Sequence, residues 1–150
     1  MRASRAERCD TRLRHMTKWA GWIVTLAGIG HTVGSLMETA PHHLESWFDG
    51  SLWSETDYAA WSDAAGGFWY SAMSFGPPLI LIGVTILWLE RRGITVPPYV
   101  AWAMAAWVVI TFIASGPSPL PVLLIADVLL VLAARRSRER VRDEQTLTRL

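Results

Sequence analysis

Residues 19–37 read WAGWIVTLAGIGHTVGSLM, a stretch without formal charge when His31 is neutral. At about 1.5 Å per helical residue it is about 28 Å long, close to the ~30 Å hydrocarbon core of a bilayer. That match decides the class: the stretch reads as a transmembrane helix. A cleaved signal peptide is the rival reading, but no small-x-small cleavage pair follows, since Glu38 stands two residues before Ala40.

Three further apolar segments lie outward of it, at about 68–89, 96–115 and 120–134. The second contains Pro77 and Pro78. A helix beginning at Pro77 would reach only about 20 Å before Glu90, too short to span, so the expectation is one helix that starts before Phe68 and is kinked at Pro77 and Pro78. In the third segment, Pro97 and Pro98 suit a first helical turn, where an N–H has no partner to lose. The run GPSPLP, residues 116–121, then breaks the chain. The fourth segment is about 22 Å long. Arg135 and Arg136 can snorkel outward to extend it, and the helix can run on into the polar tail. The expected fold is all-α: an integral membrane bundle of four transmembrane helices, 19–134, with an outer loop at 38–67 and basic tails at 1–18 and 135–150.

Composition agrees. Half of the 150 residues are apolar and only 18% are charged, where a soluble domain carries about a quarter. The formal net charge of +1 gives no global field for nucleic acid. Its distribution is more informative. Arg2, Arg5, Arg8, Arg12, Arg14 and Lys18 precede the first segment, and Arg91 and Arg92 separate the second from the third. Arg135, Arg136, Arg138, Arg140, Arg142 and Arg149 follow the fourth, which completes the fourteen cations of the chain. The positive-inside rule then places both termini and the middle loop in the cytoplasm, for a multi-pass protein of the cell membrane. Trp19, Trp22, Trp88 and Trp102 fall near the inner boundary. Trp47, Trp53, Trp61 and Trp69 fall near the outer one, and Trp107 lies mid-span. The expected partners are the lipid bilayer, with anionic inner-leaflet lipids at the basic tails, and a second copy or another membrane protein.

The outer loop holds Glu38, Glu45, Asp49, Glu55, Asp57 and Asp63 with no cation. Leu44, Trp47, Phe48 and Leu52 have helical spacing, which predicts a short interfacial helix. Ser54 followed by Asp57 reads as the start of a helix leading into the second span. His42, His43 and these acids form no compact ligand set, so no metal site is expected. Cys9 is the only cysteine. It excludes an internal disulfide and reads as a bystander thiol, with palmitoylation as the alternative.

Two ionisable residues fall inside the spans, His31 and Asp127. Such groups are costly in lipid and are candidates for ligand binding or proton handling, with Glu38 and Trp69 toward the outer end of the same set. By helical rise, His31 lies about 18 Å and Asp127 about 12 Å from the inner boundary. Their side chains lean toward each other, because helical side chains point to the N-terminus and the two helices run oppositely. A His31–Asp127 hydrogen bond is geometrically possible if the first and fourth helices are neighbours. The competing reading is structural: interhelical polar contacts hold membrane bundles together at ~0.6–2 kcal/mol each. Haem ligation lacks a second axial histidine at a matching depth, and no cofactor is expected. Gly28, Gly30 and Gly34 on the first helix, and Gly76 and Gly83 on the second, offer surfaces for close helix packing or for homodimerisation. No nucleophile elbow, phosphate-binding loop, HExxH or nucleic-acid motif is present.

Four pieces carry a resemblance: WAGWIVTLAGIGHTVG, FDGSLW, AAGGFWYSAMSFGPPLILIGVTILWLERRG and VPPYVAWAMAAWVVITFIASGPSP. In order, they resemble the bacterial small membrane proteins grouped as domain of unknown function 6463, over about residues 17–134. The resemblance implies the same four-helix architecture and no particular activity. Pro-Ser-Pro stands here where relatives have an apolar aromatic stretch, and the second prolines at 78 and 98 are further departures. The functional expectation is a non-enzymatic structural or interaction protein of the membrane. The alternatives are a binder or carrier of a small apolar or protonatable molecule and, less favoured, an intramembrane oxidoreductase or isomerase.

Overall fold

The computed structural model describes residues 2–54, 61–115 and 121–148. Among the described residues there are five α-helices and no strand: α1 Arg2–Phe48, α2 Asp63–Tyr70, α3 Gly76–Arg91, α4 Pro98–Ser115 and α5 Pro121–Thr148. The all-α expectation holds. One helix, α1 within Arg14–Phe48, is long and apolar enough to cross a membrane, and the apolar stretch of α4, Pro98–Ala114, is shorter.

Several boundaries differ from those read in the sequence. α1 continues beyond 19–37 at both ends, so residues 38–48 of the expected outer loop are helical. Hydropathy marks only where the chain turns polar; Glu38, Thr39, Ala40, His43 and Leu44 do not break a helix, and the helix carries Pro41 inside it. Among the described residues, the helix that follows the start expected at Ser54–Asp57 is α2, capped by Ser62, whose Oγ accepts the Ala65 N–H at 3.1 Å. Ser54 closes a single 3-10 turn, Ser51–Ser54, and Asp57 lies outside the described residues. α4 and α5 begin on prolines, Pro98 and Pro121, and α5 runs into the polar tail as far as Thr148.

The largest correction concerns the second span. It is not one helix kinked at Pro77 and Pro78. The helix stops at Tyr70 and restarts at Gly76. The Ser71 N–H closes α2 on the Gly67 carbonyl at 3.0 Å, and its hydroxyl donates to the same oxygen at 2.6 Å. Pro77 and Pro78 then sit in the first turn of α3, where their missing N–H groups cost nothing. The remaining amides of that turn are accounted for: Gly76 N–H reaches Ser74 Oγ in a long 3.4 Å bond, and Leu79 N–H bonds the Phe75 carbonyl at 3.0 Å.

The chain divides into two compact units, Met1–Val24 with Ile82–Leu150, and Thr25–Leu81. In the first, α4 packs along α5. Ala101, Met104 and Val108 are buried at helical spacing on α4, and Leu123, Ala126, Asp127 and Leu130 on α5. Gly21 lets α1 approach α3: a Cβ there would come within 2.8 Å of Leu87 Cγ. In the second unit, the late turns of α1 lie on α2. Trp47 Nε1 donates to the Ala64 carbonyl at 2.8 Å, and its ring meets Phe68 edge-on.

Candidate functional site

His31 is positioned by the break between α2 and α3. Its Nε2 lies 3.0 Å from Ser74 Oγ. The Ser74 hydroxyl is also 3.0 Å from the Ser71 carbonyl oxygen, which can only accept. The single hydroxyl proton is therefore committed to Ser71, and Nε2 must be the donor to Ser74. The result is a directed chain from His31 N–H through the Ser74 hydroxyl to the Ser71 carbonyl. The imidazole stacks on Phe75 with centroids 3.9 Å apart and 23° between planes, and it meets Tyr70 edge-on at 5.8 Å. In the Nε2–H form, Nδ1 keeps a lone pair for which no protein donor is found among the described residues.

Two glycines bring the break this close to α1. At Gly28, a Cβ would lie 2.7 Å from the Gly76 carbonyl oxygen and 2.8 Å from the Ile80 N. At Gly76, a Cβ would collide with Thr32 Oγ1 and sit 3.3 Å from His31 Cδ2. Backbone thus packs on backbone, which side chains larger than hydrogen forbid. Thr32 Oγ1 is buried there without a hydrogen-bond partner. Gly30 and Gly34, on the same helix, have nothing within 4 Å of an added Cβ. Gly83, in the other unit, is buried.

The other expected site residues each have surroundings of their own. Asp127 is only 3% exposed, and neither carboxyl oxygen has a hydrogen-bond partner. It belongs to the first unit and His31 to the second. Glu38 is exposed on α1, two turns beyond His31. Trp69 is half exposed and stacks on Trp61 at 5.8 Å with 13° between planes. Sequence reasoning missed Ser74, Phe75, Tyr70 and Ser71. The signal for them was present: a hydroxyl residue two positions before Gly-Pro-Pro is the pattern of a turn that caps a new helix. Among the described residues no group of three or more His, Cys, Asp and Glu could hold a metal ion.

The fold and this site define an all-helical protein in which a histidine on a long apolar helix is tied to a broken neighbour. The profile of the family of unknown function (DUF6463) matches residues 15–137, and the chain belongs to that family. No curated protein and no solved structure matches it.

Proposed function

We propose that the chain is a four-span integral membrane protein with both ends cytoplasmic, serving as a non-enzymatic structural or interaction protein. One observation carries the reading: the helices are apolar on the outside. Leu26, Ile29, Val33 and Met37 on α1, Leu81 and Val84 on α3, Ile110 and Ile113 on α4, and Ile125 and Val128 on α5 are all exposed. The buried positions meanwhile include Thr25, Ser35, Ser71 and Asp127. Water would select the reverse, whereas lipid favours large apolar groups outward and small or polar ones at helix contacts. The polar groups of His31 and Ser74 are engaged in holding the break against α1, which supports structural work rather than turnover. The test uses the lone Cys9. In a Cys9→Ala background, single cysteines at Glu45 and Arg142 are probed in intact cells with an impermeant maleimide. Labelling at 45 only is expected; labelling at 142 from outside, or recovery of the protein in the alkaline-washed soluble fraction, overturns the reading.

A second reading, uptake of a small protonatable molecule into the bundle, is favoured by the two unpartnered oxygens of Asp127. Native mass spectrometry of the purified protein tests it: a bound molecule lost in Asp127→Leu supports it, and an empty protein refutes it.

A further inference from the structure

In the unit formed by Met1–Val24 and Ile82–Leu150, basic residues from three separate stretches meet at one end. Arg14 Nε pairs with Glu90 Oε1 at 3.1 Å. Arg136 Nη1 reaches Met16 Sδ at 3.2 Å, and the Thr95 and Ser137 hydroxyls are 3.4 Å apart. These contacts tie the start of α1, the α3–α4 turn and the late part of α5 together. Several of the cations collected there are unpaired among the described residues, with Glu139 exposed on the same stretch of α5. Lys18, Arg91, Arg135 and Arg138 are exposed and make no ion pair among the described residues. Glu90 is taken by Arg14, and the partner of Arg136 is an uncharged thioether, a weak acceptor.

Exposed indoles adjoin Lys18 on α1 and Arg91 on α3, and a further one lies early in α4. Trp19 and Trp22 follow Lys18, Trp88 precedes Arg91, and Trp102 lies one turn into α4. The Arg92 guanidinium sits 5.3 Å from the centre of the Trp88 ring. Solvated cations need no such collar. Cations above half-exposed indoles, with apolar helix faces beyond, match the layering of a lipid: phosphate, glycerol region, acyl chain.

We infer that this end of the unit binds the phosphate of an anionic phospholipid, with Lys18, Arg91 and Arg135 on the headgroup and the indoles at the level below it. This rests on the membrane reading and assigns to that protein a headgroup-selective surface built from three chain segments. The full chain is reconstituted in phosphatidylcholine vesicles, and tryptophan quenching is followed as brominated phosphatidylglycerol or brominated phosphatidylcholine is added. The anionic lipid should quench at the lower mole fraction, with about a fivefold preference for each cation engaged. The combined substitution Lys18→Gln, Arg91→Gln, Arg135→Gln should bring the two lipids level while leaving quenching by phosphatidylcholine intact. Equal quenching of the wild-type protein by both lipids overturns the inference and leaves the membrane reading standing. Quenching by neither overturns both. Should the triple variant fail to fold, salt decides on the wild-type protein: the preference should collapse on going from about 0.1 M to about 1 M, where the Debye length falls to about 3 Å. A salt-independent preference overturns the inference. So does its loss to inorganic phosphate at constant ionic strength, which would reassign the site to a free anion.

Discussion

His31 and Asp127 look alike in the sequence, each a lone ionisable residue among apolar neighbours, yet the structure treats them in opposite ways. His31 has a donor–acceptor chain that ends on a backbone carbonyl, a stacked ring at 3.9 Å and a glycine contact that holds the assembly shut. Asp127 is buried deeper and has no hydrogen-bond partner for either oxygen. A group with a partner built for it contributes to holding the fold, and a group without one is a cost retained for another reason.

The largest effect that could break this contrast is at Gly28. Gly28→Ala pushes a methyl against the Gly76 carbonyl and the Ile80 amide, which are backbone and cannot rotate away. It should cost about 3 kcal/mol or more in detergent unfolding and dismantle the surroundings of His31. Ser74→Ala comes next. It strands both the His31 N–H and the Ser71 carbonyl and should cost about 1–3 kcal/mol. His31→Leu should match it, while His31→Gln, which keeps an N–H donor, should recover part of the loss. Asp127→Leu should have the other sign, neutral to about 1 kcal/mol stabilising, because it removes an unsatisfied polar group. A clear destabilisation would show that Asp127 has a partner and erase the contrast. Gly30→Ala sharpens it from a neighbouring face of α1: nothing lies within 4 Å of the added methyl. The expected gain is therefore about 0.5–1 kcal/mol from helix propensity alone.

The smallest effect lies outside the apolar segments. The Ser51 N–H donates to Asp49 Oδ1 at 2.8 Å and holds that carboxyl below its ordinary range. A lowered folded-state value means the contribution is present above the ordinary aspartate range and is lost as pH falls through the folded value. The turn at Ser51–Ser54 should loosen only below about pH 4, read from the Ser51 amide resonance, and Asp49→Asn should abolish that transition.

Legibility in the sequence followed physical scale. The helical class and a proline-led start for α4, expected at about Val96 and found at Pro98, were readable, because prolines and long apolar runs act locally. The extension of α1 to Phe48 was not, since hydropathy reports solvent and not backbone conformation. The Ser74 partner of His31 was missed for a similar reason. Depth along two ideal helices offered only Asp127 as a candidate. Ser74 comes from a segment that leaves the helix, and Pro77 and Pro78, read as a kink, were the restart signal. Ser74 was invisible to that reading because its importance arises only once the chain turns there.

The opening turn of α3 carries a consequence of its own. An ordinary helix start displays four amides in search of acceptors, and such ends attract anions or water. Here two of the four positions are proline and the other two amides are spoken for within the chain. A helix can thus be stopped and resumed with no free amide at its start, and this positive pole is a poor cradle for phosphate or carboxylate. Replacing Pro77 or Pro78, both exposed, with alanine would restore an amide N–H to a helix start that is otherwise closed.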